Sequence, residues 1–318
     1  MEAAHSLSVG DVWSALSSCV APSVLSAVSR AAADGGLGFE RMSPVQQATI
    51  PQFVGRKDVV VEACTGSGKT LAFLVPTLHI LLQRDTPLRP HEVGAIVLLP
   101  TRELARQVEA VCSALLGGLR PRPASPLRVM LMVGGDDEEL SAASYLQHGA
   151  NVVVGTPGRI EAALARGLGA GRQTVRAKEL EVLVLDEADR MLALGFQQSL
   201  SVILAHLPKQ RRTGLFSATQ TDSVDDLIRA GMRNPVRVRV AAVARDASAG
   251  GGAAEPAARL PGGLYSYYAF CEHGDRLLEL LRVLTRIQAA EKPCKAIVSE
   301  LAAACRRPPL RRPASIRR

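Results

Sequence analysis

Short apolar runs recur along the chain between longer stretches with helical periodicity. The β-branched run Val59–Val61 predicts a buried strand, and the apolar stretch Leu71–Leu82 after it predicts a helix. Six further short apolar runs, which we also predict to contain strands, are 95–100, 128–135, 151–159, 181–189, 213–219 and 236–240. Strands that alternate with helices predict a doubly wound α/β fold with a mostly parallel sheet. Each run ends in a polar or glycine-rich cluster, and ligands bind at the carboxyl ends of such strands.

The segment ACTGSGKT, residues Ala63–Thr70, lies between the first predicted strand and helix. Its two glycines allow tight turning, and its Lys and Thr can reach phosphate and magnesium at a helix N-terminus. The usual phosphate-loop pattern has glycine at the position of Ala63, so we expect that this position requires a small residue rather than a positive φ. A glycine turn that binds nothing is the alternative for this stretch alone.

A cluster of acids, DEAD at Asp186–Asp189, follows the apolar run Val182–Leu185. Its carboxylates therefore emerge at the carboxyl end of a strand, where one acid can hold magnesium and another can position an attacking water. Taken alone, the cluster could be a solvated acidic turn. Together with the phosphate loop it predicts nucleoside triphosphate binding.

Composition narrows the class of protein. The chain has 318 residues, 47% hydrophobic and 21% charged, which is typical of a folded globular protein. Of the formal net charge of +8, six arginines lie in 306–318 without any acid, so the remainder is nearly balanced. Six cysteines include no C-x-x-C pair, and the longest apolar run is too short to span a bilayer. We expect buried thiols in a cytosolic or nuclear protein, neither secreted nor membrane-bound.

Seven motifs in order make the sequence resemble the DEAD-box ATP-dependent RNA helicases. They are GFERMSPVQ (38–46), ACTGSGKT (63–70), PTRELA (100–105), GG (134–135), TPGR (156–159), DEAD (186–189) and SAT (217–219). The family's loop reads A-x-T-G-x-G-K-T, which accounts for Ala63. The resemblance implies a RecA-like P-loop NTPase lobe that uses ATP and Mg²⁺ to unwind or remodel RNA. A P-loop kinase or DNA translocase would share Lys69 and the acids, but would not explain Gln46 or SAT.

The resemblance also implies roles for individual residues. Phe39 and Gln46 would contact adenine, although Gln46 alone could be an ordinary polar residue at a helix N-terminus. Lys69 would hold the β- and γ-phosphates, Thr70 and Asp186 would hold magnesium, and Glu187 would orient the hydrolytic water. The full implied nucleotide set is Phe39, Gln46, Thr65, Gly66, Ser67, Gly68, Lys69 and Thr70, with Asp186, Glu187 and Lys69 catalytic.

The implied RNA contacts suit phosphate and sugar rather than base edges, so we expect binding largely independent of sequence. They are Pro100, Thr101, Arg102, Gly134, Gly135, Thr156, Gly158 and Arg159. Asp189, Ser217 and Thr219 would couple the nucleotide site to RNA and to the second lobe. Arg102 could instead be a salt-bridge partner of Glu103, Arg159 a solvated loop end, and the SAT residues a helix cap.

The segment MSPVQQATIP resembles the subgroup of these helicases that works in large ribosomal subunit assembly. This resemblance implies pre-ribosomal particles as partners and a nuclear or nucleolar location.

We divide the chain into a tail (1–8), the ATP-binding lobe (9–240), a low-complexity linker (241–263), the beginning of a second RecA-like lobe (264–298) and an Arg- and Pro-rich disordered tail (299–318). We interpret residues 31–36 as a flexible insertion. The family's second-lobe arginines are absent, so we expect a chain truncated early in that lobe. The alternative function is an ATP- and RNA-binding single lobe without helicase activity.

Overall fold

The computed structural model describes residues 11–123, 125–135, 138–167, 175–240, 271 and 275–288. The chain divides into two units, Met1–Gly262 and Gly263–Arg318. The predicted tails, the predicted linker and most of 264–298 lie outside the described residues. Within the second unit, one helix is described, α10 at Arg276–Gln288.

The first unit contains a seven-stranded sheet in which the six pairings between neighbouring strands are parallel. The strands are β1 (Val59–Ala63), β2 (Ala95–Leu98), β3 (Val129–Met132), β4 (Val152–Gly155), β5 (Val182–Leu185), β6 (Arg212–Ser217) and β7 (Val236–Val240). Their order across the sheet is β3-β4-β2-β5-β6-β1-β7. Every apolar run that was predicted to be a strand overlaps one, and the expected doubly wound α/β fold is confirmed.

Helices cover both faces of the sheet. They are α1 (Pro22–Ser29), α2 (Pro44–Val54), α3 (Lys69–Leu82), α4 (Arg102–Gly118), α5 (Glu138–His148), α6 (Pro157–Ala165), α7 (Ala188–Ala193), α8 (Gln197–His206) and α9 (Asp222–Gly231). Successive strand residues point to opposite faces, so the core divides into two clusters. Val59 and Val61 belong to the cluster with α1 to α4, whereas Val60 belongs to the cluster with α5 to α9.

The segment 31–36, predicted as a flexible insertion, is structured. Residues Ala32–Asp34 form a 3₁₀ turn that ends at Gly35, whose φ of 79° is left-handed. The backbone N–H groups of Leu37 and Phe39 then donate to carbonyls of α1, at 2.9 and 3.1 Å. The prediction of an unstructured segment was wrong because these bonds depend on the fold and not on local composition.

Asp58, just before β1, forms hydrogen bonds that connect the start of β1 to β6 and to β7. Its Oδ1 accepts the backbone N–H of Thr213 in β6 at 2.8 Å, and its Oδ2 accepts that of Arg233 at 2.7 Å. Its carbonyl oxygen accepts the N–H of Val236, the first residue of β7, at 2.8 Å. The buried carboxylate therefore sets the amino ends of the strands, while their carboxyl ends carry the motifs. In the part of the chain that the structure describes, no helix is long and apolar enough to cross a membrane.

Candidate functional site

The phosphate loop connects the end of β1 to the start of α3. Ala63 is the last residue of β1 and is buried in the core, so a small residue in an extended backbone is what this position takes. Gly66 and Gly68 have φ values of 77° and 93°. The left-handed backbone at Gly68 favours glycine, and a Cβ there would also lie 2.6 Å from Nε2 of Gln46. The loop thus has the strand, turn and helix arrangement that the sequence predicted.

Lys69 turns its ammonium group back onto the loop. Nζ donates to the carbonyl of Ala63 at 2.7 Å and to that of Cys64 at 3.0 Å, and the residue is 8% exposed. Its positive charge also lowers the pKa of Asp186, which places the two groups within electrostatic reach. A bound phosphate would replace the carbonyl oxygens as the partner of this ammonium group.

The acids of the DEAD segment follow β5. Asp186 is 4% exposed, and burial raises its pKa to about 6, partly offset by Lys69 and reinforced by Glu187. Its Oδ1 accepts the backbone N–H of Glu187 at 3.0 Å. Glu187 has a left-handed backbone with φ of 51° and a carboxylate 3.2 Å from the guanidinium of Arg190. The two carboxylates therefore differ, one buried and costly to ionise, the other partly exposed and paired.

The residues predicted to contact adenine lie next to the loop. Gln46 is 5% exposed; its Oε1 accepts the N–H of Ser43 at 2.7 Å, and its Nε2 donates to the carbonyl of Gly68 at 3.0 Å. Phe39 is 51% exposed. The predicted adenine contact stays a prediction, and the structure adds a direct hydrogen bond between Gln46 and the phosphate loop.

The fit of a nucleotide and its metal can be judged from the polar groups present. The buried hydroxyl of Ser67 has no hydrogen-bond partner among the described residues, whereas that of Ser43 accepts the backbone N–H of Gln46 in a capping box. The Ser67 hydroxyl favours a polar ligand, since an unpaired buried hydroxyl costs free energy. No group of three or more His, Cys, Asp or Glu that could hold a metal exists in the described ranges. Mg²⁺ needs no such cage, because it binds through one or two protein oxygens, substrate phosphates and water.

A hydrogen-bonded link joins Asp189, the last residue of the DEAD segment, to the loop after β6. Oδ2 of Asp189 accepts from the hydroxyl of Thr219 at 2.7 Å and from its backbone N–H at 3.1 Å. The Ser217 hydroxyl donates to the Thr219 carbonyl at 2.6 Å. The three residues predicted to couple the sites are therefore in direct contact.

A groove of about 710 Å³ lies at the carboxyl ends of β2, β3 and β4. The guanidinium of Arg102 lies against the backbone of Gly134 and Gly135; a Cβ on Gly135 would be 2.5 Å from its Nη1. Seven of the eight predicted RNA-contacting residues, all except Gly135, line the groove. The sequence interpretation missed four others that line it: Glu103, Ala162, Arg166 and Phe196. Phe196 could have been noticed as one of few aromatics in a chain with 3%.

The strand order, the phosphate loop after β1 and the acid pair after β5 define a P-loop NTPase lobe of the RecA-like type. Comparison with known proteins then gives the particular family. A DEAD/DEAH box helicase family model matches residues 43–227, more than half of the chain. The chain belongs to the DEAD/DEAH box helicase family.

Curated relatives and solved structures agree with this assignment. The ATP-dependent RNA helicase DDX55 of Gallus gallus is 44% identical over 272 residues, covering 86% of this chain and 43% of that protein. The ATP-dependent rRNA helicase spb4 of Sclerotinia sclerotiorum is 41% identical over 303 residues, covering 90% and 45%. The chain thus spans less than half the length of these relatives.

Two crystal structures have similar folds. The chain matches a DEAD box protein from Methanococcus jannaschii with a TM-score of 0.57 and 27% identity, covering 83% of this chain and 61% of that one. It matches the yeast DEAD-box splicing factor Prp28 with a TM-score of 0.57 and 31% identity, covering 64% and 46%. The expected RecA-like lobe is therefore confirmed.

Proposed function

We propose that this chain is the ATP-binding lobe of an ATP-dependent RNA helicase that hydrolyses ATP to remodel or unwind RNA. The observation that carries the proposal is the link between Asp189 and Thr219, because it ties the segment after the acid pair to the next strand end at the edge that also carries the groove. ATP hydrolysis and RNA binding at one edge of a sheet can be coupled through such a contact. The relatives named ATP-dependent RNA helicase support the same activity.

Each residue of the nucleotide site has a role that its position supports. Lys69 binds the β- and γ-phosphates once its ammonium leaves the carbonyls of Ala63 and Cys64. Thr70 and Asp186 would hold Mg²⁺, which neutralises charge on the phosphates when bound. Glu187 accepts a hydrogen bond from the hydrolytic water and orients it. Gln46 and Phe39 receive the adenine.

In the groove, we assign the predicted contacts to the sugar and phosphate backbone of RNA. The glycine amides, threonine hydroxyls and arginine guanidiniums there are donors that suit phosphate oxygens and do not read base edges. Binding is then largely independent of sequence and falls with salt. The relative named as an rRNA helicase supports a role on pre-ribosomal particles, in the nucleus or nucleolus.

The experiment that tests this proposal is steady-state ATP turnover with and without single-stranded RNA, with Glu187→Gln as the matched control. We expect RNA to stimulate turnover and Glu187→Gln to abolish it while ATP affinity stays within about twofold, because Gln keeps the shape but not the basicity of the side chain. Turnover at the parental rate in the variant would contradict the role of Glu187. ATP binding without any turnover in the parent would favour the alternative, a single lobe that binds ATP and RNA without catalysis.

A further inference from the structure

A second polar pocket lies at the amino ends of the strands, at the edge of the sheet opposite the phosphate loop. Arg56 precedes β1, Arg212 begins β6 and Arg233 precedes β7. Because these three strands are parallel neighbours, their amino ends meet at one edge. A cavity of about 300 Å³ there is lined by Arg56, Glu181, Gln210, Arg211, Arg212 and Arg233. All six side chains are polar or charged.

Cations exceed anions in the wall of this pocket, since it has four arginines and one carboxylate. That carboxylate, Glu181, is already shared. Arg84 contacts one of its oxygens, and Nη1 of Arg212 lies 4.0 Å from the other. The same Nη1 is buried and makes no hydrogen bond to any described residue. Glu181 therefore does not satisfy Arg212, and the pocket keeps an excess of N–H donors.

The guanidinium of Arg211 is held by two hydrogen bonds, and one of its N–H donors is unpaired among the described residues. Arg211 is 8% exposed, and its Nη1 and Nη2 donate to the carbonyls of Pro208 and Gly231 at 2.7 and 3.2 Å. Its buried Nε has no hydrogen-bond partner in the described part of the chain. Burial lowers the pKa of Arg211 and of Arg212, and the carboxylates of Asp58 and Glu181, respectively, offset this cost only in part. An anion in the pocket would offset that cost.

Arg56 is a lining residue of the pocket. It is exposed, and the repulsion of its charge contributes to the lowered pKa of Arg212. It forms no hydrogen bond or ion pair with a described residue. Its backbone is left-handed, with φ of 63°, a conformation that Asn tolerates better than most side chains. Arg56 can therefore be replaced without disturbing a contact of the fold.

We propose that this pocket is a second anion site, which binds a phosphate group supplied either by the backbone of RNA or by a free phosphate ion. Guanidinium groups match phosphate oxygens with paired N–H donors. An acidic peptide is less suited, because peptide docking usually needs an apolar anchor and every lining side chain here is polar. The site lies away from the nucleotide loop and the groove, so it does not depend on the proposed catalysis.

The test compares Arg56→Asn with Lys57→Asn, each made in a Lys69→Ala background that removes phosphate binding at the loop. Lys57 is the adjacent exposed cation, its Nζ is 3.4 Å from Oε1 of Gln52, and it does not line the pocket. Both variants lose one positive charge, so long-range electrostatic effects are matched. The probes are inorganic phosphate, followed by calorimetric titration, and a labelled oligouridine, followed by anisotropy over a series of salt concentrations. Thermal melting verifies that both variants fold as the parent does.

We expect Arg56→Asn to weaken at least one probe about five- to tenfold and Lys57→Asn to leave both unchanged. Weaker oligouridine binding, with the slope of log affinity against log salt reduced by about one, identifies RNA backbone as the source. A loss confined to inorganic phosphate identifies the free ion. Equal losses in the two variants, or no loss for either probe, would overturn the proposal. Because this experiment measures binding and not ATP turnover, a failure of the anion-site proposal can be distinguished from a failure of the proposed helicase activity.

Discussion

The phosphate loop and the groove beside α4 both lie at the carboxyl ends of the strands, but their polar groups differ. In the loop, Lys69 and Gln46 are buried and bonded to neighbouring backbone atoms. In the groove, Arg102 is exposed and faces a cavity of about 710 Å³. A ligand at the loop must therefore exchange internal hydrogen bonds for its own, whereas a ligand at the groove adds contacts to a site that is already open. If the proposed ligands bind there, we expect affinity at the loop to depend on specific hydrogen bonds and affinity at the groove to depend on charge.

Among the substitutions that test this comparison, we expect the largest effect from Lys69→Ala. It removes the charge that would face the phosphates, so we expect ATP affinity to fall by at least about 100-fold, or roughly 3 kcal/mol. Titration with a fluorescent ATP analogue measures this, and RNA affinity measured without nucleotide should not change. Lys57→Ala is the matched control, as an exposed lysine at the other edge of the sheet. Parental ATP affinity in Lys69→Ala would remove the phosphate-loop assignment.

The next effect concerns the buried carboxylate. The pKa of Asp186 is raised from 3.8 to about 6 in the folded protein, so the folded state holds this proton more tightly than the unfolded state. Stability is therefore lost as pH rises from about 4 to about 6, and the full cost persists above that range. We expect Asp186→Asn to stabilise the nucleotide-free protein by about 1 to 3 kcal/mol at pH 7.5.

Urea unfolding at pH 7.5 and at pH 4 measures the effect of Asp186→Asn. The gain should nearly vanish at pH 4, where most of the carboxyl is protonated in the folded protein. Asp226→Asn provides the control, because that carboxylate is exposed on α9. A gain of equal size at both pH values would show that the substitution acts through packing and not through the charge of Asp186.

The smallest effect is expected in the groove. Arg102→Ala should weaken single-stranded RNA binding about tenfold and lower the salt slope by about one, because one phosphate contact is lost. Anisotropy titrations over a salt series measure both quantities. ATP affinity in the absence of RNA should stay at the parental value. A weaker ATP affinity together with unchanged RNA binding would reverse the assignment of the two regions.

The sequence predicted the elements of the fold far better than the contacts between them. Strand runs such as Val182–Leu185 are visible because a continuous run of Val and Leu suits a strand buried on both faces. The bonds from Asp58 to Thr213 and Arg233 join residues separated by 155 and 175 positions, and periodicity carries no information on strand order. For the same reason, the sequence did not predict the pocket at Arg56 and Arg211, whose lining residues come together only through the order of the strands.

Within the candidate site, motif spacing identified the groups and the structure supplied their partners. Lys69, Asp186 and Gln46 were all named from short segments, since glycine loops and strand-end acids have recognisable patterns. Sequence could not show that Gln46 donates to Gly68, because that bond joins two segments 22 residues apart. Phe196 and Arg166 were missed in the groove, as each is an isolated residue outside any motif.

The register of β7 has a mechanical consequence. Val240, where the strand ends, is paired with Ala63, the residue from which the phosphate loop departs. A pull on the chain beyond Val240 would therefore enter the sheet at this last rung and load the five paired positions of β1 and β7 in shear. Val240 therefore lies directly beside the strand residue that leads into the proposed phosphate loop, so a load on the end of β7 would act at the base of that loop.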